Sequence, residues 1–311
     1  MKSNENKQTK SSAADYGQNV VPRVELKQLL RKSDWRGGRQ LSLHLVFICA
    51  TAALVNYTQN SWLIWSAMLI HGCGLVFLFA PLHETIHRTA FQQRKVNDVV
   101  AFGIGLVLFL GANHFRRFHF DHHRYTQDPR RDPELAGKNV SSMANYLLYL
   151  SGILFWKGAF TTLINCALGK ADSSYITAVS KTGIIKEARI LLLVYGVLFL
   201  SGIVDQRALL IYWLIPMVLA QPFWRGWLLA EHTGCEQSSD MYANTRTTFT
   251  NPLTQFFLWN MPFHVEHHAY PAVPFYQLPA LHKLIKTRIL YSEPGYLSFH
   301  RRQAAQLKNS S

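Results

Sequence analysis

Long apolar runs separated by charged stretches set the organisation of this chain. The first run spans residues 41–57, and after the uncharged link Thr58-Gln59-Asn60 a second spans residues 61–81. At about 1.5 Å of helical rise per residue, the second covers about 30 Å, the thickness of a bilayer core. The first is shorter and crosses with tilt or local thinning. Residues 188–204 and 208–224 repeat the arrangement around Asp205-Gln206-Arg207. The pattern predicts an all-α polytopic membrane protein with four transmembrane helices in two hairpins. Each hairpin returns the chain to its starting side, so both termini and the polar segments that follow the hairpins share one face.

Two weaker segments lie between the hairpins. Residues 99–112 are too few to cross and return, and are expected at the interface or inserted part way. Residues 146–168 carry Trp156, Lys157 and several Tyr and Phe residues, the composition of a helix lying at the membrane surface. Residues 1–40 read as a polar N-terminal tail with an amphipathic piece near 24–30, and no cleaved signal peptide is expected. Residues 41–290 form one membrane-embedded domain, and residues 291–311 a polar C-terminal tail.

Charge then gives the spans a direction. The formal net charge is +14 and the mean hydropathy is +0.00, an average that conceals the division into apolar and basic blocks. The basic residues cluster in the N-terminal tail, around Arg116, Arg117, Arg124, Arg130 and Arg131, and near the C-terminus. None of these tracts is an arginine-rich or base-stacking motif, so nucleic acid is not an expected partner. Basic flanks of apolar spans mark the cytoplasmic side. The four cysteines, Cys49, Cys73, Cys166 and Cys235, form no C-x-x-C pair, so neither a disulfide framework nor a thiolate metal site is expected.

The chemistry is concentrated in three histidine clusters: His83-Glu84-Thr85-Ile86-His87, His119-Phe120-Asp121-His122-His123 and His264-Val265-Glu266-His267-His268. Residues three and four apart share a helix face, so each cluster aims its imidazoles at a common point. Imidazole suits zinc, copper, iron and nickel, and ligand type alone does not choose among them. Eight histidines exceed what one tetrahedral zinc uses, and His232, ending the last span, offers a ninth. That number fits two metals. The first cluster is also the H-E-x-x-H motif of zinc proteases, with Glu84 as base, a reading that leaves both H-x-x-H-H clusters without a role. A histidine-rich transporter would place its ligands near mid-membrane, whereas these clusters follow the spans.

H-x-x-x-H, H-x-x-H-H and H-x-x-H-H in this order, each placed after a hairpin or between them, resemble the membrane fatty acid desaturase superfamily over residues 41–283. That group includes acyl and sphingolipid desaturases, carotenoid ketolases and related hydroxylases. The resemblance implies a cytoplasmic histidine-rich cap holding a non-haem centre of two iron ions, which uses dioxygen and electrons from an external ferredoxin- or cytochrome-type donor. The implied metal ligands are His83, His87, His119, His122, His123, His264, His267 and His268, with His232 as the additional histidine. The sequence departs from the acyl-CoA type, which has asparagine where Leu228 stands and H-N-x-H-H as its third box. The H-x-E-H-H form is closer to small bacterial desaturases, sphingolipid-type enzymes and carotenoid ketolases. Desaturation of an acyl chain in a bacterial inner membrane is the expected function, and carotenoid ketolation or lipid hydroxylation the alternative.

Other residues carry weaker expectations. Phe109, Phe115, Phe118, Trp227, Trp259 and Phe263 are candidate tunnel walls or ordinary packing. His44 and His71 lie within spans and are expected to be packing or tunnel residues, and His114, His282 and His300 lack a partner at ligand spacing. Asn260, Glu84, Asp121, Glu231 and Glu266 sit where they could orient imidazoles.

Overall fold

The structure, a computed structural model, describes residues 20–137 and 140–309. Residues 1–19, nearly half of the expected N-terminal tail, therefore lie outside the described residues. The amphipathic piece forms helix α1 (Arg23–Leu29). Ser33 then accepts from the Arg36 backbone N–H and caps α2 (Asp34–Tyr57), which begins ahead of the apolar run. The side-chain oxygen satisfies a donor that the first turn otherwise leaves open.

Helices α3 (Ile64–Val76) and α4 (Phe79–His87) carry the chain back and end at the first histidine cluster. Helix α5 (Arg94–Leu108) follows, and α6 (Ala112–Tyr125) bears the second cluster. The two are bent by 97° at Phe109, whose φ of 59° is left-handed. The segment expected to lie part way in the membrane is thus an elbow that turns α6 toward the end of α4. Residues 146–168, expected as one surface helix, fall mostly within two: α7 (Met143–Leu150) and α8 (Ile153–Ala167), bent by 55° at Gly152.

Helix α9 (Ala178–Leu200) leads to α10 (Gln206–Leu209), a π-helical turn (Leu210–Leu214), α11 (Ile215–Leu219) and α12 (Gln221–His232). Among the described residues, three continuous helical stretches are long and apolar enough to cross a membrane: Asp34–Tyr57, Ile64–His87 and Gln206–His232. The number is five if each bent pair counts as one span. Helix α9 is long enough, but Lys181, Lys186, Glu187 and Arg189 fill its first half, which removes it from a selection made on composition.

Strand is confined, among the described residues, to β1 (Thr247–Thr248) paired in parallel with β2 (Ser292–Glu293). Between them stand α13 (Pro252–Phe257), α14 (His264–Ala269), which bears the third cluster, and α15 (Leu278–Ile285). The C-terminal segment carries α16 (Tyr296–Asn309), whose buried Phe299 and Leu307 pack with Tyr146, Tyr149, Leu229 and Ala230. The main core, including Leu82, Ile86, Trp224, Trp259 and Leu281, lies directly beneath the three histidine helices.

Candidate metal centre

Helices α4, α6, α12 and α14 bring all nine predicted histidines together, in two groups. His83, His87, His119, His123 and His267 place one ligand-capable nitrogen each within 4.8 Å of one another, and His122, His232 and His268 do the same. His264 joins the second group, its Nε2 lying 3.1 Å from Nε2 of both His232 and His268. Helical spacing explains the division. His119 and His123, four apart, share one face of α6, and His122 is turned toward α12.

Contacts between Nε2 atoms are short throughout. His119 to His123 is 2.9 Å, His123 to His267 is 3.1 Å, and His122 to His232 is 3.2 Å. A metal bound at about 2.0–2.1 Å from each imidazole nitrogen sets neighbouring nitrogens about 2.8–3.4 Å apart, depending on geometry. The alternative is a set of hydrogen bonds, and protons are too few for it. In the second group three Nδ1 atoms hydrogen-bond an acceptor: Asp132 Oδ1 at 2.9 Å from His122, the Asn244 carbonyl at 3.2 Å from His232 and Thr126 Oγ1 at 3.3 Å from His268. His264 Nδ1 lies 3.4 Å from Glu231 Oε1 without hydrogen-bond alignment. With Nδ1 protonated, the neutral ring presents a lone pair at Nε2. In the first group both nitrogens of His83, Nε2 of His87, and Nδ1 of His119, His123 and His267 are buried with no hydrogen-bond partner among the described residues. Converging lone pairs and orphaned buried nitrogens suit a cation, and the all-imidazole donor set suits iron among the metals it accepts.

Electrostatics favours the ligating state. Burial, reinforced by His83, His87 and other neighbouring imidazoles, holds His267 well below the ordinary value of 6.5, and His268 is lowered likewise by burial and by His123 and His264. Burial alone would raise the Asp132 carboxyl. The His122 hydrogen bond and the backbone N–H groups of Gln127 and Glu134 outweigh it and hold Asp132 below the ordinary carboxylate range.

The remaining candidates separate from the centre. Glu84 accepts from Thr89 Oγ1 at 2.7 Å and from the Phe275 N–H at 3.3 Å, so it braces α4 against the loop before α15 and is not placed as a protease base. Glu266 is tied to Thr247 at 2.7 Å and to His282, and Asn260 donates to the Phe275 carbonyl. Asp121 contacts no imidazole of the three clusters among the described residues, whereas Glu231 lies 3.4 Å from His264 Nδ1. His44 meets the Gly74 carbonyl, His71 Thr51 and the Tyr212 carbonyl, His114 Tyr175, and His300 Tyr146. Each is accounted for by its own local partner. Arg116 binds Asp98 at 2.7 Å and the Ile86 carbonyl at 2.9 Å, an ion pair that locks α6 to α4 and α5. Sequence reasoning missed Asp132, Thr126 and Asn244, which reach the imidazoles from loops or a helix end.

A cavity of about 370 Å³ lies close to the centre, although no histidine of either group lines it. Phe109, Phe115 and Phe118 line it as expected, with Phe79, Phe155 and Leu163, whereas Trp227, Trp259 and Phe263 do not. Phe115 and Phe79 contact the rings of His119 and His83, and Glu134, on the cavity wall, has Oε1 3.9 Å from His122 Nε2.

Residues 60–300 match the family model for fatty acid desaturase. Among curated proteins, a beta-carotene 4-ketolase of Protosiphon botryoides is 25% identical over 254 residues, which are 76% of this chain and 57% of the ketolase. The chain therefore spans little more than half the length of that relative. A dihydrorhizobitoxine desaturase of Bradyrhizobium elkanii is 27% identical over 274 residues, covering 80% of this chain and 74% of that protein. A sphingolipid delta(4)-desaturase/C4-monooxygenase of Mus musculus is 26% identical over 238 residues, covering 74% and 68%.

Proposed function

The chain belongs to the fatty acid desaturase family, and from that premise we propose that it is a membrane-bound di-iron oxidase that desaturates an acyl chain. The observation that carries this reading is the pairing of two imidazole groups with an apolar cavity that ends beside them. His83, His87, His119, His123 and His267 would hold one iron, and His122, His232, His264 and His268 the other. Iron bound there supplies what no side-chain acid or base can, the activation of dioxygen for removing hydrogen from an unactivated methylene. Electrons come from an external ferredoxin- or cytochrome-type donor.

The protein's own part is positional. Asp132, Asn244 and Thr126 hold their imidazoles with Nε2 forward, and partners of this kind raise ligand basicity and fix ring orientation. Phe79, Phe115 and Phe118 line the approach and exclude water from the reacting carbon. The basic flanks support a centre on the cytoplasmic side, and a bacterial inner membrane is the setting we infer. Similarity to ketolases, in addition to desaturases, favours carotenoid ketolation as a second reading.

Elemental analysis of the purified protein tests the centre: two irons per chain are expected, and a single zinc without iron would overturn it. Lipid extracts of expressing cells test the reaction. A new unsaturated acyl species is expected, and oxygenated carotenoid with unchanged acyl chains would move the assignment to the ketolase reading. Substituting His267→Ala is expected to abolish turnover while the protein still inserts, and retained turnover in the purified variant would refute the ligand set.

A further inference from the structure

The cavity beside the histidines is not purely apolar. Arg225, on the buried side of α12, lines it with only 9% of its surface exposed. Its guanidinium lies 4.5 Å from the ring centroids of both Phe155 and Trp224. Such stacking stabilises the charge through the faces of the guanidinium plane but leaves the in-plane N–H donors unused. Nε is buried without a hydrogen-bond partner, and no carboxylate among the described residues comes within ion-pair distance of Arg225. A buried, stacked cation with its donors unspent is costly unless something else accepts from it. Glu134 and Glu187 also stand on the cavity wall, and Glu134 acts on Arg225 from beyond ion-pair distance, whereas Leu154, Phe155 and Ala159 accommodate a hydrocarbon chain.

We propose that Arg225 anchors the substrate by an oxygen acceptor, a carboxylate or a carbonyl, at one end of an apolar chain, and so sets which carbon meets the histidine centre. The proposal rests on the cavity being the substrate site of the oxidase. Seven residues separate Arg225 from His232 on the same helix, about 10 Å of rise, so the anchored oxygen and the reacting carbon are held a fixed distance apart. Guanidinium forms two parallel hydrogen bonds to such a group, which lysine does not reproduce. A substrate without oxygen gains nothing from Arg225, so the class selected is an oxygen-headed amphiphile, not a bare hydrocarbon.

Equilibrium binding of radiolabelled stearic acid, stearamide and octadecane to the full-length chain in detergent tests this directly. Stearic acid is expected to bind roughly 10- to 100-fold more tightly than octadecane, the usual worth of a hydrogen bond to a charged group. Arg225→Gln should abolish that preference and Arg225→Lys restore part of it. Preference for stearic acid alone identifies the acceptor as a carboxylate, and equal preference for stearamide identifies it as a carbonyl. Gly158→Leu provides the control that does not touch Arg225. Gly158 lines the cavity and a Cβ there meets nothing within 4 Å, so the leucine should fold and block all three probes. Equal binding of stearic acid and octadecane to the unaltered protein, a preference surviving Arg225→Gln, or binding undisturbed by Gly158→Leu would each overturn the proposal. The assay needs neither iron nor turnover. Lack of iron would sink the oxidase reading alone, and loss of the oxygen preference in an active, iron-loaded protein would sink the anchor alone.

Discussion

Asp132 is ten residues beyond His122 in sequence and 2.9 Å from its Nδ1 in space. The histidines themselves were legible because helical periodicity forces residues three and four apart together. Asp132 and Asn244 were not, because loops obey no such period and their partners are chosen by tertiary contact. The consequence is testable. Asp132→Ala removes the acceptor that holds His122, and metal affinity should fall roughly 10- to 100-fold, read as iron retained against increasing chelator. Unchanged retention would mean that packing alone orients the ring. Acid should act on the same residues. The folded-state values of His267 and His268 are depressed by burial and by neighbouring imidazoles, so below the ordinary value of 6.5 the unfolded chain binds protons that the fold refuses. Stability of the metal-free protein should therefore be full above that pH. It should decline as pH falls below it, by about 1.4 kcal/mol per pH unit for each such imidazole. Thermal melts across pH measure this, and His268→Gln should flatten the slope.

At the scale of elements, hydropathy located the apolar spans but not their breaks. The run ending at residue 81 continues as α4 to His87, because Leu82 and Ile86 are core residues interleaved with the histidines. A composition average sees that stretch as mixed. Nor does hydropathy register close backbone approach. A Cβ on Gly72 of α3 would lie 2.0 Å from the Pro216 carbonyl oxygen, where α11 follows the π-helical turn. Gly72 is what allows the two spans to touch, as small residues do in membrane interiors. Gly72→Ala should destabilise the protein by about 1–3 kcal/mol, the usual cost of overpacking, or displace α11. A detergent melting temperature unchanged by the substitution would show that the contact relaxes freely. Gly152 has the same character at the bend between α7 and α8. Its φ of 74° is left-handed, and a Cβ would meet the Gln221 side chain at 2.4 Å, which is why the expected single surface helix is two.

For the whole molecule, the ends of the helices decide the topology more firmly than composition does. The stretches Ile64–His87 and Gln206–His232 both finish at the histidines, so their opposite ends share the other face. There Gln59 donates to the Tyr212 hydroxyl at 2.6 Å, and that hydroxyl bonds Asn56 at 3.0 Å. Helix α9 links the faces. Glu187, in its first half, accepts from the Asn113 N–H of the helix that bears the second cluster, and Phe199, near its end, stacks on Trp213 beside Tyr212. Its charged first half hides it from a hydropathy test, yet its two ends are held at the two faces. We therefore predict four crossings, with the turns around residues 57–63 and 201–206 on one side and the histidine-bearing end on the other. Cysteine variants at exposed positions, Asn60→Cys, Ile203→Cys and Gln237→Cys in a chain freed of its native cysteines, test this with a membrane-impermeant maleimide on sealed vesicles. The first two should label together from one side and the third from the other. Labelling of Ile203→Cys from the same side as Gln237→Cys would mean that the stretch Gln206–His232 does not cross, and would overturn the arrangement of four crossings.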